Sequence, residues 1–136
     1  MSTNVYSRGC ETILLVEDDP LVLNAIIRIL TPQGYRVLKA RNPKTALQFS
    51  GRHDHDIDLL LTDVILPGLY GWQLAELMKL DRPQLKVLYI SSECDDIREL
   101  GDTSELILHT PFPSDELRRA VRNVLNEHSL KVASPK

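Results

Sequence analysis

The chain is short and carries little net charge. It has 136 residues, 43% of them hydrophobic, with a net charge of -3 at pH 7. This length suits one domain with a single core, and the weak negative charge gives no general attraction to nucleic acid or to an anionic membrane. No apolar stretch is long enough to span a bilayer, and the N-terminus has no signal-peptide pattern. We therefore expect a cytoplasmic protein without direct contacts to nucleic acid or membrane.

Strand-like and helix-like segments alternate along the chain. The predicted strands cover residues 12–16, 36–40, 58–62, 86–90 and 106–109. The predicted helices begin at Pro20, Pro43, Gly71 and Asp95, and the last one begins directly after Ser114. The strands are almost uniformly apolar, which is typical of a parallel sheet covered by helices on both faces. We expect one α/β domain over residues 12–127, with a flexible segment at 1–11 and a frayed tail at 128–136.

The helix starts carry residues that favour capping. Asp19 and Asn42 each precede a proline at a helix start, and Ser114 precedes the last helix. Asp, Asn and Ser side chains accept hydrogen bonds from the exposed N–H groups of a first turn, and proline fits the first helical position. These residues predict where three of the helices begin.

Helical spacing predicts which apolar residues of the first two helices are buried. In the first helix the buried stripe is expected to be Val22, Ile26, Ile29 and Leu30. Leu23 and Ile27 lie beside this stripe, so the first helix offers a candidate patch for a homodimer. In the second helix, Ala46 and Leu47 are expected to face inward.

Carboxylates follow two of the apolar strands. Glu17 and Asp18 come directly after the first strand, and Asp63 comes after the third. Buried carboxylates are costly unless a cation lies between them, and Mg2+ is a hard cation that prefers oxygen ligands. In a parallel α/β sheet, ligands bind at the carboxyl ends of the strands. A metal beside a nucleophilic carboxylate indicates phosphoryl chemistry.

Hydroxyl residues follow two further strands. Ser91 follows the fourth strand and Thr110 follows the fifth. Each could be a solvated cap or turn residue, as could each carboxylate. The coincidence of polar groups at four strand ends favours a shared crevice.

The motifs around these residues resemble those of receiver domains from two-component response regulators, whether free-standing or part of a hybrid histidine kinase. They are Ile13-Leu14-Leu15-Val16-Glu17-Asp18-Asp19-Pro20, Leu61-Thr62-Asp63-Val64-Ile65-Leu66-Pro67-Gly68 with Gly71, Val87-Leu88-Tyr89-Ile90-Ser91-Ser92, and Pro111-Phe112. The resemblance implies a flavodoxin-like sheet of five parallel strands in the order 2-1-3-4-5.

The resemblance also implies a role for each matching residue. Asp63 corresponds to the aspartate that is phosphorylated by a histidine kinase or a phosphotransfer protein. Asp18 corresponds to a direct Mg2+ ligand, Glu17 to an acidic neighbour acting through metal-bound water, and Ile65 to a ligand through its backbone carbonyl. Ser91 corresponds to the hydroxyl that bonds the phosphoryl group.

Two residues depart from the family pattern, and both concern switching. Thr110 stands where the family has a lysine, and Ile107 stands where it usually has an aromatic residue. Threonine offers a hydrogen bond but no charge. We expect intact phosphoacceptor chemistry with atypical switching, and a cis peptide bond between Thr110 and Pro111. The usual output and dimer face would comprise the helix at 95–100, the strand at 106–109 and the last helix.

Two alternatives remain open at this point. One is a pseudo-receiver that binds a partner protein without a phospho-switch, which Thr110 and Ile107 favour. The other is a Mg2+-dependent phosphatase, which would need an Asp-x-Asp motif that Glu17-Asp18-Asp19 does not supply. In the leading interpretation, the domain at most phosphorylates and dephosphorylates its own Asp63 and is not a conventional enzyme.

Overall fold

Strands and helices alternate in the computed structural model, which describes residues 11–52, 56–91 and 106–133. The strands are β1 (Thr12–Val16), β2 (Arg36–Ala40), β3 (Leu59–Asp63), β4 (Ile65–Leu66), β5 (Leu69–Tyr70), β6 (Lys86–Ser91) and β7 (Leu106–His109). The helices are α1 (Pro20–Leu30), α2 (Pro43–Gly51), α3 (Gly71–Lys79) and α4 (Ser114–Ala133). The helix predicted at 95–100 lies outside the described residues. None of the helices in the described part of the chain is long and apolar enough to cross a membrane.

The described strands form a five-stranded parallel sheet in the order β2-β1-β3-β6-β7. Strands β4 and β5 form a separate two-stranded antiparallel hairpin between β3 and α3. With that hairpin set aside, the order is the expected 2-1-3-4-5. The predicted α/β fold is therefore confirmed.

The third sheet strand begins one residue later than predicted. Asp58 lies before β3, where its side chain accepts a hydrogen bond from the backbone N–H of Thr12 at 2.8 Å. Asp63 instead belongs to the strand and pairs with Ile90 of β6. The backbone pairing of β3 with β6 thus fixes the position of Asp63, the candidate phosphoacceptor.

Two hydrophobic clusters cover the two faces of the sheet, because successive strand side chains point to opposite faces. One packs sheet residues against α1 and α4 and includes Ile13, Leu15, Leu59, Leu61, Leu88, Ile26, Leu30, Leu117 and Val121. The other packs sheet residues against α2 and α3 and includes Leu14, Val16, Leu60, Val87, Tyr89, Ala46, Leu74 and Met78. Ile107 packs against this second cluster, as does Trp72.

The buried faces of α1 and α2 differ in part from the prediction. Leu23 is only 4% exposed and belongs to the core, so it cannot contribute to a dimer patch on α1. Val22 and Ile29 are partly buried and pack at the border of that core. Leu47 is 37% exposed, so its predicted inward orientation is wrong. Packing on the sheet thus turns the buried face of each helix slightly away from the face that helical spacing predicts.

The predicted caps are correct for two helices and wrong for the third. The side chain of Asp19 accepts from the N–H of Leu21 at 2.9 Å, and that of Asn42 accepts from the N–H of Thr45 at 2.8 Å. Ser114 is already helical, because the carbonyl of Pro113 accepts the first helical hydrogen bonds. The helix then continues to Ala133, beyond the expected end at 127, since no Gly or Pro interrupts its sequence.

A polar network links α4 to one end of the sheet. The strand-end carboxylates lie at the other end. The Arg122 guanidinium donates to Glu11 Oε2 at 2.7 Å and to the Tyr35 hydroxyl at 3.1 Å. Burial raises the pKa of Tyr35. Burial disfavours the charged form of Arg122, but the hydrogen bonds and charges of Glu11 and Tyr35 together outweigh this effect, and the pKa of Arg122 is raised. The guanidinium therefore stays charged and links α4 to the residues that directly precede β1 and β2.

Candidate functional site

The register of the sheet brings carboxylates from two strand ends to adjacent positions. Val16 of β1 pairs with Thr62 of β3, so the next residues, Glu17 and Asp63, stand side by side. The N–H of Glu17 also bonds to the Ala40 carbonyl at 3.0 Å, which fixes its backbone to β2. Adjacent strands lie about 4.8 Å apart. Two residues that are far apart in sequence thus meet at one edge of the sheet.

Three carboxylates form one cluster at this edge. Oxygen atoms of Glu17, Asp18 and Asp63 all lie within 4.8 Å of one another. Glu17 is buried, Asp63 is half-buried and Asp18 is exposed. Three oxygen donors at this spacing form an arrangement that can hold a hard divalent cation. The structure therefore brings together the three side chains that were predicted to bind metal.

The environment of Glu17 opposes its negative charge. Burial raises the pKa of this carboxyl, and the neighbouring Asp18 and Asp19 carboxylates raise it further. A hydrogen bond with Asp63 and one from the N–H of Asp19, at 3.0 Å to Oε2, act in the opposite direction without cancelling the effect. A bound cation would relieve this unfavourable charging. The cluster is thus electrostatically suited to a metal ion.

Ser91 and Thr110 continue the row of polar residues across the next two strands. Asp63 pairs with Ile90, and Ser91 is the next residue, only 2% exposed. The N–H of Thr110 donates to the Ser91 carbonyl at 2.9 Å, so residue 110 lies at the end of the adjacent strand. The peptide bond between Thr110 and Pro111 is cis, which confirms the prediction. Both hydroxyl residues lie on the expected side of Asp63.

A close approach of α3 holds the backbone of Asp63. The N–H of Gly71 donates to the Val64 carbonyl at 2.7 Å, and a Cβ at Gly71 would lie 2.2 Å from the Asp63 carbonyl oxygen. Only glycine fits there. The sequence placed Gly71 in a motif but gave no sign of this contact.

Ile65 begins the short hairpin that links Asp63 to this contact. It pairs with Tyr70, and Gly68 adopts a φ of 92° in the turn between them. A positive φ of this size favours glycine. The hairpin thus fixes the backbone after Asp63, while the Ile65 carbonyl as a metal ligand stays a prediction.

The sequence could not place Arg41, which the structure puts next to the cluster. Arg41 directly follows β2, and its Nη2 donates to the backbone carbonyl of Asp18 at 3.3 Å. Its position depends on strand order, because β2 lies beside β1. A cationic side chain therefore borders the carboxylates.

The protein is an α/β domain with a doubly wound parallel sheet, and three carboxylates that could hold a metal ion cluster at the carboxyl edge of this sheet. A family model for the response regulator receiver domain matches residues 13–122. The chain belongs to this family. Receiver domains of two-component systems interact with histidine kinases or phosphotransfer proteins.

Curated proteins from several bacteria are similar to the chain. It is 33% identical over 119 residues to the glycerol metabolism activator of Pseudomonas putida, covering 84% of the chain and 53% of that protein. It is 31% identical over 118 residues to the uncharacterized transcriptional regulatory protein YbdJ of Bacillus subtilis, covering 85% and 51%. It is 29% identical over 122 residues to the sensor kinase CckA of Brucella abortus, covering 88% and 13%. The chain thus spans about half of these relatives or less.

Solved receiver structures share the fold over nearly their whole length. A response regulator receiver protein from Sinorhizobium medicae has a TM-score of 0.76 and 29% sequence identity. The match covers 87% of the chain and 96% of that structure. The residues that complete the sheet and its two helical layers therefore correspond to one receiver domain.

Proposed function

We propose that residues 12–127 form a phosphoacceptor signalling domain that receives a phosphoryl group on Asp63. The observation that supports this is the cluster of Glu17, Asp18 and Asp63 oxygens within 4.8 Å of one another. A carboxylate oxygen of Asp63 would form a bond to phosphorus while the bond from phosphorus to the donor breaks. With a phosphohistidine donor, the leaving imidazole nitrogen takes up a proton. The product is an acyl phosphate on Asp63.

The proposed cofactor is Mg2+, held by Asp18 and Asp63, with Glu17 close by and the Ile65 carbonyl as a further ligand. An oxygen-only donor set fits this ion. Burial, and to a smaller extent the neighbouring Asp18 and Asp19 carboxylates, raises the pKa of Glu17, and a cation would offset this unfavourable charging. When bound, Mg2+ would stabilise the negative charge on the transferring group. The chain itself contributes the nucleophile and holds it in the β3 ladder.

The proposed donor is a histidine kinase or a phosphotransfer protein. Ser91 is proposed to bond a phosphoryl oxygen after transfer, because its hydroxyl belongs to the strand end next to Asp63. The cytoplasmic location expected from the sequence stays a prediction. So does the homodimer face made of the helix at 95–100, the strand at 106–109 and the last helix.

Switching is proposed to be weak, because Thr110 carries no charge. A hydrogen bond to a charged group contributes about 1.5–3 kcal/mol. Moving a two-state equilibrium from mostly off to mostly on takes about 5.5 kcal/mol. Losing a lysine at position 110 therefore removes a large share of the free energy available for the shift.

The second candidate function is a pseudo-receiver that binds a partner protein without phospho-switching. The same Thr110 favours it, together with Ile107, which is packed against the α2 and α3 side of the core. An aliphatic side chain in that position supplies no hydroxyl for a relay. In this case the acidic cluster would bind metal without accepting phosphate.

Intact mass spectrometry with acetyl phosphate and Mg2+ separates the two candidates. The proposed function requires a mass increase of one phosphoryl group in the wild-type protein. The increase should disappear in Asp63→Ala and on addition of a chelator, and it should persist in Asp81→Asn, a variant at an exposed carboxylate after α3. A wild-type protein that never gains this mass, with acetyl phosphate or a phosphorylated histidine kinase, would favour the pseudo-receiver.

A further inference from the structure

The carboxylate cluster that must accept a phosphoryl group is strongly repulsive to anions. One carboxylate oxygen of each of its three side chains lies within 4.8 Å of the other two, and a phosphodonor such as acetyl phosphate is itself negatively charged. Like charges at these separations repel appreciably near a protein surface. A bound divalent cation would offset only part of this charge. A second cation at the rim would therefore assist the approach of the donor.

The side chain of Arg41 reaches this rim. The β1–β2 ladder ends with Val16 opposite Ala40, and the Glu17 N–H extends it by one bond to the Ala40 carbonyl. Arg41 is the next residue. Strands β2 and β3 lie on either side of β1, so their ends are roughly 10 Å apart. Because its Nη2 donates to the Asp18 carbonyl at 3.3 Å, the guanidinium lies at the end of β1, the strand between β2 and β3.

Guanidinium chemistry suits a phosphoryl ligand. The group has five N–H donors in a planar fork that matches phosphate oxygens, and it stays protonated at working pH. The bond to the Asp18 carbonyl uses a single N–H. That bond is long, at 3.3 Å, so it orients the side chain without holding it rigidly.

We propose that Arg41 binds a phosphoryl oxygen of the incoming donor and of phosphorylated Asp63, and so supplies a positive charge at the rim of the site. This inference rests on the proposed phosphoacceptor function. Arg41 undergoes no covalent change. Its guanidinium only donates hydrogen bonds while the bond from Asp63 to phosphorus forms and the donor's own bond breaks.

The proposal predicts effects of opposite sign on two ligands. A positive charge beside the cluster attracts the phosphodonor but repels Mg2+. Arg41→Ala should therefore lower the rate of phosphorylation by acetyl phosphate roughly threefold to tenfold at saturating Mg2+. The same variant should bind Mg2+ as tightly as the wild-type protein or more tightly. General damage to the site would weaken both.

The experiment follows phosphoprotein formation by intact mass over time and Mg2+ affinity by the emission of Trp72, the single tryptophan of the chain. Arg41→Lys keeps the charge and should recover part of the rate. Arg28→Ala removes an exposed charge from the last turn of α1, far from the cluster, and should match the wild-type protein in both assays. The rate difference between wild type and Arg41→Ala should shrink as salt is raised.

Three outcomes overturn the assignment in distinguishable ways. Equal phosphorylation rates in wild type and Arg41→Ala would refute the role of Arg41 while leaving the proposed function intact. A loss of both rate and Mg2+ affinity in Arg41→Ala would show that the residue only maintains the structure. If the wild-type protein gains no phosphoryl mass at all, the proposed function fails, and the role of Arg41 fails with it.

Discussion

The close contact between Gly71 and the backbone of Asp63 can be tested by adding one methyl group, in the substitution Gly71→Ala. In Gly71→Ala the new Cβ would lie 2.2 Å from the Asp63 carbonyl oxygen and 3.2 Å from Thr62 Cγ2. A separation below 3.0 Å is essentially never seen for a Cβ, so the two segments must move apart by about 0.8 Å. The obstacle is a strand backbone, which cannot rotate away as a side chain can.

The expected cost follows from this displacement. Forcing extra atoms into a packed interior costs about 1–3 kcal/mol. For a domain of this size, we expect the melting temperature to fall by roughly 3 to 15 °C. A displacement of about 1 Å in a reacting group can lower a rate about 100-fold. Gly71→Ala should therefore lose far more phosphorylation of Asp63 than its loss of stability explains.

Thermal unfolding and acetyl phosphate labelling of the same preparations test this reasoning. Gly51→Ala is the matched control, because a Cβ at Gly51 meets nothing within 4 Å at the exposed end of α2. It should label normally and be unchanged or stabilised by about 0.4–1 kcal/mol. If Gly71→Ala melts and labels like the control, the tight contact does not position Asp63.

Three further perturbations test other parts of the structure. Arg122→Gln should lower the free energy of unfolding by about 1–3 kcal/mol in urea titrations, because it leaves the half-buried Glu11 carboxylate without its partner. The control Arg119→Gln, at an exposed position of the same helix, should change that free energy by less than about 0.5 kcal/mol. Burial raises the pKa of Glu17 above its ordinary 4.5, so ionisation of this carboxyl destabilises the folded protein as pH rises through that raised value. In the presence of chelator, Glu17→Gln should therefore melt higher than wild type at pH 7.5, and the gain should vanish below about pH 4.5; a constant difference at all pH values would contradict this. Thr110→Lys should enlarge the amide chemical-shift changes that beryllofluoride causes along β7, and an already complete shift in the wild-type protein would show that the lysine is not needed.

Much of the fold could be read from local patterns. Runs of mostly apolar residues identified the sheet strands, and β1, β2 and β7 have the predicted bounds. Asp19 and Asn42 marked two helix starts, because a cap is a contact between residues two or three apart. Predictions that depend on neighbours within a few residues were therefore mostly accurate, although Ser114 proved to be the first helical residue and not the cap.

Details that depend on packing were not predicted. Leu23 is in the core and Leu47 is partly exposed, because the way a helix sits on the sheet decides which side of its apolar face is covered. The end of α4 at Ala133 was missed for a related reason, since the expected end at 127 came from a polar composition that helices tolerate. The short hairpin of β4 and β5 was not predicted either. Its two strands contain only four residues, all apolar or aromatic, and these are too few to form a recognisable strand pattern.

The sequence by itself determined the α/β class, the strand order through the family resemblance, and the identity of the three clustered carboxylates. Their motifs are local, and each lies at the end of an apolar run that the sequence marks clearly. Only the tertiary structure decided that Arg41 borders the cluster and that Gly71 abuts Asp63. Arg41 depends on β2 lying beside β1, and Gly71 depends on how the hairpin returns α3 to the strand end. Contacts between segments that are distant in sequence are set by the packing of the whole sheet, which no short stretch of residues encodes.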